Sequence, residues 1–413
     1  MTSRSKWKKI GIPLSSDSRR MILLLLFLTV LIAFIGRLTT SVALEEIGGD
    51  LVWSEAEQGY LGGLLMGIFL ISYGFSNVFL SPNIDRYGSK AVLTVSMIGC
   101  SFSVFLGAFF GNIYWLFLLS RLLLGLTQGV MFPVASKVIG GWYREEKRGR
   151  ANSIFMIGGP IGVAAAPIIM GPVIHAVSWE ASFYLVAAFG FILSIPILLF
   201  IDDTPADLEE QEEKELGSKN SIRSLLKKPE VTLIIVGFTA TTTVWWGTSL
   251  WIPKYLAQVH GVAIAEMAYV AAVPYAGAIL GLYTGAWLSD RTGRTDLVIM
   301  FSLFMAGVLI AALTFFPIPG LKTAVSLLFL VFLFGQLAPP LFFAKIQNTV
   351  SATELGSATG LMNGTANFIG ICGPLAVGGV LALTGSYDYG LLTLSAISFA
   401  GLAGFYGTLK RSA

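Results

Sequence analysis

Two arginines, Arg37 and Arg121, lie well inside long apolar stretches of this sequence. Placing an arginine at the centre of a membrane helix costs about 2.5–3.5 kcal/mol on insertion scales, so a carboxylate partner is expected nearby. All 24 Asp and Glu residues fall in tails, in loops or at the ends of the apolar stretches. Two uncompensated guanidiniums present planar forks of N–H donors that suit carboxylate, sulfonate or phosphate groups. The residue pattern therefore predicts an anion-binding site.

The two arginines are also predicted to share one depth. Each lies roughly seven or eight residues from the outer end of its stretch, which places both about 10–12 Å below the outer surface at 1.5 Å per residue. A lone membrane arginine can instead cap a broken helix or extend to the surface. The matched depth and the missing acids favour one shared site.

Polar side chains in other apolar stretches are further candidates for this site. Thr242, Trp245 and Ser249 follow a three-to-four residue spacing, which places them on one face of a helix. Hydrogen bonding between helices is the alternative role for each candidate. The remaining candidates are Tyr73, Asn77, Tyr275, Gln336, Asn363 and Asn367.

The elements that must position these residues are membrane spans. Hydrophobic residues make up 55% of the 413 residues and charged residues 12%, against roughly 45–50% and about 25% in soluble domains. A spanning helix needs about 20 mostly apolar residues. Twelve segments qualify, numbered here as spans 1 to 12: roughly 21–43, 58–80, 91–110, 113–139, 151–176, 181–201, 231–257, 266–288, 297–317, 321–349, 356–384 and 388–408.

A repeated phrase divides the spans into two related halves. Asp-Arg-x-Gly follows span 2 and recurs after span 8, about half the chain length later, as Asp85, Arg86 and Gly88 and as Asp290, Arg291 and Gly293. The carboxylate can cap a helix or pair with an arginine, and the glycine permits a tight turn. We expect a conformational latch without ligand contact. Internal repeats of this kind are typical of secondary transporters.

Charge placement predicts domain boundaries and orientation. Residues 1–201 form an N-terminal six-helix bundle, the charged segment 202–230 a cytoplasmic linker with a short surface helix at 221–228, and 231–413 a C-terminal six-helix bundle. Most of the 27 Lys and Arg residues fall in tails and loops on one side, which the positive-inside rule assigns to the cytoplasm. Both termini are therefore expected inside a plasma (cytoplasmic) membrane.

These features resemble the major facilitator superfamily over the whole chain. The resemblance implies an all-α membrane protein with twelve transmembrane helices in two pseudo-symmetric six-helix bundles. Arg37, Tyr73, Arg121 and the run GLMNGTANFIGICGP of span 11 resemble the anion:cation symporter family, whose members bind carboxylates with those arginines. This chain departs at two positions where the family often carries acids used in proton coupling. Gly36 precedes Arg37, and Gln128, which joins the candidate site residues, follows Arg121 by seven.

A competing resemblance is to the organophosphate:phosphate antiporters. SYGFSNVF and Gln128-Gly129 are similar to their motifs, but their second key arginine has Trp245 at the corresponding position here. The sequence therefore predicts a secondary active transporter of a small organic anion, a carboxylate such as a sugar acid or monocarboxylate, working by alternating access. An organophosphate/phosphate or anion-exchange antiporter and a membrane nutrient sensor are the alternatives.

The same patterns limit which partners the protein is expected to have. No paired carboxylates, metal cluster or activated nucleophile suggests an enzyme, and no cofactor or nucleic-acid partner is expected. We expect a monomer in the lipid bilayer that binds an organic anion. The coupling ion stays open between a proton, sodium and a counter-anion.

Overall fold

A computed structural model describes residues 18–54, 57, 61–201, 222–261, 264–316, 320–384 and 386–412. This part of the chain is helical throughout, without a strand. The first nine helices are α1 Ser18–Val42, α2 Leu44–Asp50, α3 Gly63–Phe79, α4 Pro82–Tyr87, α5 Ser89–Phe109, α6 Tyr114–Gln128, α7 Met131–Trp142, α8 Glu145–Ala176 and α9 Trp179–Phe200. The remaining helices are α10 Ile222–Leu226, α11 Pro229–His260, α12 Ile264–Thr292, α13 Thr295–Phe315, α14 Leu321–Gly335, α15 Pro339–Thr349, α16 Leu355–Gly370, α17 Cys372–Thr384 and α18 Tyr387–Ser412.

Helices occupy the positions of all twelve predicted spans. Within the described residues, ten helical segments are long and apolar enough to cross a membrane. The apolar part of α3, Gly67–Phe79, is shorter, and α12 covers the predicted span 8. Spans 4, 10 and 11, predicted as single helices, are each two consecutive helices.

Proline chemistry accounts for the interruption in span 10. Pro339 and Pro340 have no backbone N–H, so the carbonyls of Gly335 and Gln336 lose their usual donors four residues ahead. The Ser302 hydroxyl of α13 donates to the carbonyl of Phe334 at 2.6 Å and lies 3.4 Å from the freed carbonyl of Gly335. The helix therefore ends at Gly335 and begins again at Pro339.

Packing groups the chain into two compact units. Unit 1 contains Met1–Arg144, Gly158–Lys219 and Ser351–Gly364, and unit 2 contains Glu145–Ile157, Asn220–Val350 and Thr365–Ala413. The units differ from the predicted bundles by two exchanged pieces, because the start of α8 packs in unit 2 and the start of α16 packs in unit 1. The bundle boundaries stay a prediction. Linker residues 202–221 lie outside the described residues, and α10 falls within the predicted surface helix.

Glycines bring α3 and α6 into close contact in unit 1. A Cβ atom at Gly125 or Gly129 would collide with the backbone carbonyl of Phe69 or of Tyr73, respectively. Small residues four apart allow helix backbones to approach this closely in membranes. The contact sets the position of Arg121 and Gln128, which α6 carries beside α3.

The equivalent helix pair of unit 2 is built in the same way. Three glycines of α12, each four residues apart, face carbonyls of α14 and of the segment that follows it: Gly277, Gly281 and Gly285 against Phe329, Leu333 and Leu337. Both units therefore pack their second and fourth spans through glycine stripes, in agreement with the internal repeat.

Candidate functional site

The Arg37 guanidinium is held by a neutral amide. Its Nε and Nη2 atoms donate to Oε1 of Gln128, at 3.1 and 2.7 Å. The amide nitrogen of Gln128 donates to the carbonyl of Ala33 at 2.9 Å, and the side chain is 1% exposed. One turn of α1 and the end of α6 thus fix both the glutamine and the arginine.

Arg121 lies against the same part of unit 1. Its Nη2 donates to the backbone carbonyl of Arg37 at 3.2 Å, and its Nε to the carbonyl of Leu65 at 3.4 Å. The guanidinium carbons of Arg37 and Arg121 lie 4.5 and 5.9 Å from the ring centroid of Phe69. The structure therefore brings the two arginines together, while their role in anion binding stays a prediction.

In the described residues, the guanidiniums of Arg37 and Arg121 contact only neutral groups. No carboxylate contacts Arg37 or Arg121 in the described part of the chain, and the Tyr73 hydroxyl lies within hydrogen-bonding reach of the Arg37 guanidinium. Aromatic rings surround Arg37, whose guanidinium carbon lies 4.4 Å from Phe34 and 5.0 Å from Tyr73. Ring faces stabilise a guanidinium without neutralising its charge.

Three of the candidate residues in unit 1 bind one another. The Asn363 amide donates to the Tyr73 hydroxyl at 3.2 Å and to the Asn77 carbonyl oxygen at 2.6 Å. The Asn77 amide donates in turn to the backbone carbonyl of Tyr73 at 2.9 Å. These bonds join α16 to α3, which is the helix-to-helix role that the sequence left as the alternative.

In unit 2, Trp245 and Tyr275 belong to one aromatic cluster. The Trp245 and Tyr275 rings pack against Phe332, with centroids 5.1 and 5.4 Å away. Trp245 and Gln336 also line a cavity of about 20 Å³. That volume accommodates a water molecule rather than an organic anion.

The other unit 2 candidates have separate surroundings. Asn367 accepts a hydrogen bond from the Trp246 indole at 3.1 Å, and Thr242 lies beside Gly370. Ser249 is 9% exposed, and its hydroxyl lies beside the phenol of Tyr275, another of the unit 2 candidates.

The first repeated loop caps a helix. Asp85 accepts hydrogen bonds from the backbone N–H groups of Gly356 and Ser357 at 3.1 and 2.9 Å, and from the Ser357 hydroxyl at 2.7 Å. Lys137 also pairs with this carboxylate at 2.9 Å. A carboxylate at a helix N-terminus is favoured by the helix dipole. Gly88 has φ of 89°, as expected for the tight turn.

The second repeated loop forms the other contact predicted for its carboxylate, an ion pair with an arginine. Asp290 pairs with the Arg150 guanidinium at 2.6 Å, and Gly293 has φ of 65°. Burial raises the pKa of the Asp290 carboxyl above its ordinary value of 3.8, and the nearby Arg150 opposes the rise. Arg86 and Arg291 instead lie over rings of their own helices. The latch role of both loops stays a prediction.

The structure adds residues that the sequence did not single out. Phe69 lies under both arginines, and it shares a face of α3 with Tyr73 because the two are four residues apart. Lys137 and Ser357 complete the contacts of Asp85. Helical spacing could have identified Phe69, whereas the contact with Ser357 joins residues 272 positions apart.

The chain is similar to known transporters over most of its length. The chain is 27% identical to the hexuronate transporter of Bacillus subtilis (strain 168) over 94% of each chain. It is 26% identical to a probable galactarate/D-glucarate transporter of Escherichia coli (strain K12), over 91% of this chain and 90% of that one. A probable sulfoacetate transporter of Cupriavidus necator is 27% identical, over 93% and 92%.

Solved structures and a family model support the same fold. The proton:xylose symporter XylE bound to 6-bromo-6-deoxy-D-glucose superposes with a TM-score of 0.77 at 15% identity, covering 95% of this chain and 96% of that chain. The fucose:proton symporter of E. coli gives a TM-score of 0.72 at 16% identity, over 95% and 99%. The Major Facilitator Superfamily model matches residues 26–374. This all-helical, multi-pass membrane protein belongs to the major facilitator superfamily of transporters.

Proposed function

We propose that the protein is a secondary active transporter of a small organic anion, a carboxylate such as a sugar acid, that works by alternating access. The observation that carries this proposal is the pair formed by Arg37 and Arg121, two guanidiniums beside one Phe69 ring with no carboxylate in contact within the described residues. Their hydrogen-bond acceptors are all neutral, so both positive charges remain for an anion to neutralise. The expected location is the cytoplasmic membrane, with both termini inside.

The relatives support an acidic substrate. Their names specify hexuronate, galactarate or D-glucarate, and sulfoacetate as cargo, all of which carry at least one anionic group. The organophosphate antiporter alternative needs a second arginine where this chain has Trp245. Because the Trp245 ring packs on Phe332 and Tyr275, that position holds an apolar wall instead of a cation.

Proton coupling is proposed to be weak. Gln128 stands where related transporters often carry an acid, and its amide does not ionise at physiological pH. The two arginines also disfavour a proton on a substrate carboxylate, because nearby positive charge stabilises the ionised form. Exchange of one anion for another, uniport, or sodium-linked entry through backbone and hydroxyl oxygens is therefore proposed.

Uptake by purified protein in proteoliposomes tests the proposed function. The panel comprises monocarboxylates, sugar acids, sulfonates and phosphate esters, and any transported compound is then tested for thermal stabilisation of the detergent-solubilised protein. Arg37→Ala and Arg121→Ala should each abolish that stabilisation while the protein still folds, and Arg→Lys should rescue poorly because the planar fork is lost. Arg294→Ala, at an exposed loop position, is the matched control. Near-normal binding by both alanine variants would refute the site.

A further inference from the structure

We infer that the substrate is a dianion, an organic acid with two negatively charged groups such as a dicarboxylate or a sulfonate with a carboxylate. The inference rests on the proposed function and narrows its substrate class. It follows from the formal charge of the site and from the neutral partners of the two guanidiniums.

The charge of Arg37 is solvated but not neutralised. Gln128 occupies the place of a paired carboxylate, since one oxygen accepts from both Nε and Nη2 at 3.1 and 2.7 Å. An amide oxygen supplies a dipole and no net charge. With Gln128 1% exposed and fixed to the Ala33 carbonyl, water has little access to this side of the guanidinium.

Arg121 adds a second charge of the same kind. It is 2% exposed, and its acceptors are the backbone carbonyls of Leu65 and Arg37. A monoanion bound here would leave one positive charge in a site of low dielectric, whereas a dianion would neutralise both. Because Coulomb interactions are several-fold stronger there than in water, the second negative charge should tighten binding by about 10- to 100-fold.

The neutral partners of the two guanidiniums point to two separate acidic groups. Both arginines use Nε and Nη2 for contacts with neutral protein groups, so neither guanidinium has an anionic partner in the described residues. The two guanidiniums lie 4.5 and 5.9 Å from the centroid of Phe69, whose ring belongs to a third helix. One acidic group for each guanidinium neutralises both charges.

Matched ligand pairs that differ by one charge test the inference. The pairs are D-glucarate with D-gluconate, and sulfoacetate with 2-hydroxyethanesulfonate, in each of which a CH2OH group replaces one carboxylate. Dissociation constants are measured at pH 7 by thermal shift and isothermal titration. The wild type should bind the dianion of at least one pair about 10-fold or more tightly than its monoanion.

Two variants of Gln128 distinguish the effect of the net charge of the site from the effect of the hydrogen bonds that Gln128 makes. Gln128→Glu places a carboxylate on Arg37 and lowers the site charge by one, so the dianion preference should fall by about 10-fold. Gln128→Leu removes the same contacts without adding charge and should retain the preference. If monoanions bind the wild type as tightly as dianions do, the inference is wrong. The same holds if both variants lose the dianion preference equally. Neither result would contradict the proposed transport of organic acids. Failure of all four compounds to bind would refute the organic-acid function itself.

Discussion

Replacing Asp85 by asparagine should loosen the start of α16 without changing the anion site. The carboxylate of Asp85 accepts from two backbone N–H groups and one hydroxyl at that helix end, and it pairs with Lys137. An amide keeps one acceptor oxygen and turns the other into an NH2 donor. That donor would face either the Gly356 N–H and the Lys137 ammonium, which cannot accept, or the Ser357 N–H and hydroxyl, of which only the hydroxyl can accept.

The expected cost is set by burial and by the number of charge-assisted bonds. The side chains of Asp85 and Lys137 are 14% and 12% exposed, so solvent screens the pair only partly. Hydrogen bonds to charged groups contribute about 1.5–3 kcal/mol each, and breaking a buried pair costs about 3–5 kcal/mol. Allowing for the residual exposure, we expect a loss of about 2–4 kcal/mol in this contact, which is about a 30- to 1000-fold shift in its equilibrium.

A double-mutant cycle measures this contact directly. Asp85→Asn, Ser357→Ala and the double variant are compared by apparent unfolding temperature, by transport rate and by labelling of cysteines introduced along α16. The two single changes should be strongly non-additive, because both remove the bond between the carboxylate and the hydroxyl. Anion affinity should stay within a few-fold of wild type while turnover falls. Additive effects, or a selective loss of affinity with unchanged turnover, would show that the reasoning about this loop is wrong.

Three further outcomes follow from the same geometry. Burial raises the pKa of Asp290, although Arg150 opposes the rise, so the stability that the protonated carboxyl contributes is lost as pH rises from 3.8 through the folded-state pKa. In a pH series of unfolding temperatures, Asp290→Asn should therefore lack the decrease in unfolding temperature that the wild type shows over this range. Gly281→Leu should force α12 from the α14 carbonyls and destabilise by about 1–3 kcal/mol or more in thermal unfolding, unlike Gly379→Leu, which meets open space. Gln128→Glu should strengthen uptake driven by an imposed pH gradient at clamped membrane potential, and strong concentrative uptake by the wild type under that gradient alone would contradict weak proton coupling.

Most of the correct predictions rested on the long apolar segments of the sequence and on the charged residues inside them. All twelve spans are helices because each must satisfy its backbone within itself in lipid. The proximity of Arg37 and Arg121 followed from helical rise, since two residues at one depth on adjacent helices can reach one another. Depth alone did not predict that Gln128 would occupy one edge of Arg37.

What sequence reasoning could not supply was the pairing between distant elements. The Asp-Arg-x-Gly repeat suggested either a helix cap or an arginine partner, and each of the two contacts occurs in one copy of the repeat. Asp85 caps α16, whereas Asp290 pairs with Arg150. Identical local motifs cannot reveal this difference, because it depends on whether a serine or an arginine follows the glycine at the start of the packed helix. The exchange of short pieces of α8 and α16 between the packing units is likewise a tertiary effect.

The unequal partners of the two loops give them unequal sensitivity to salt. The contacts of Asp85 with backbone N–H groups and the partly covered Lys137 are short-range and screened little by mobile ions. The Arg150 side chain is 52% exposed, so its attraction to Asp290 weakens as ionic strength rises. Potassium chloride should therefore weaken the Asp290–Arg150 contact of the second loop more than the Asp85 contacts of the first.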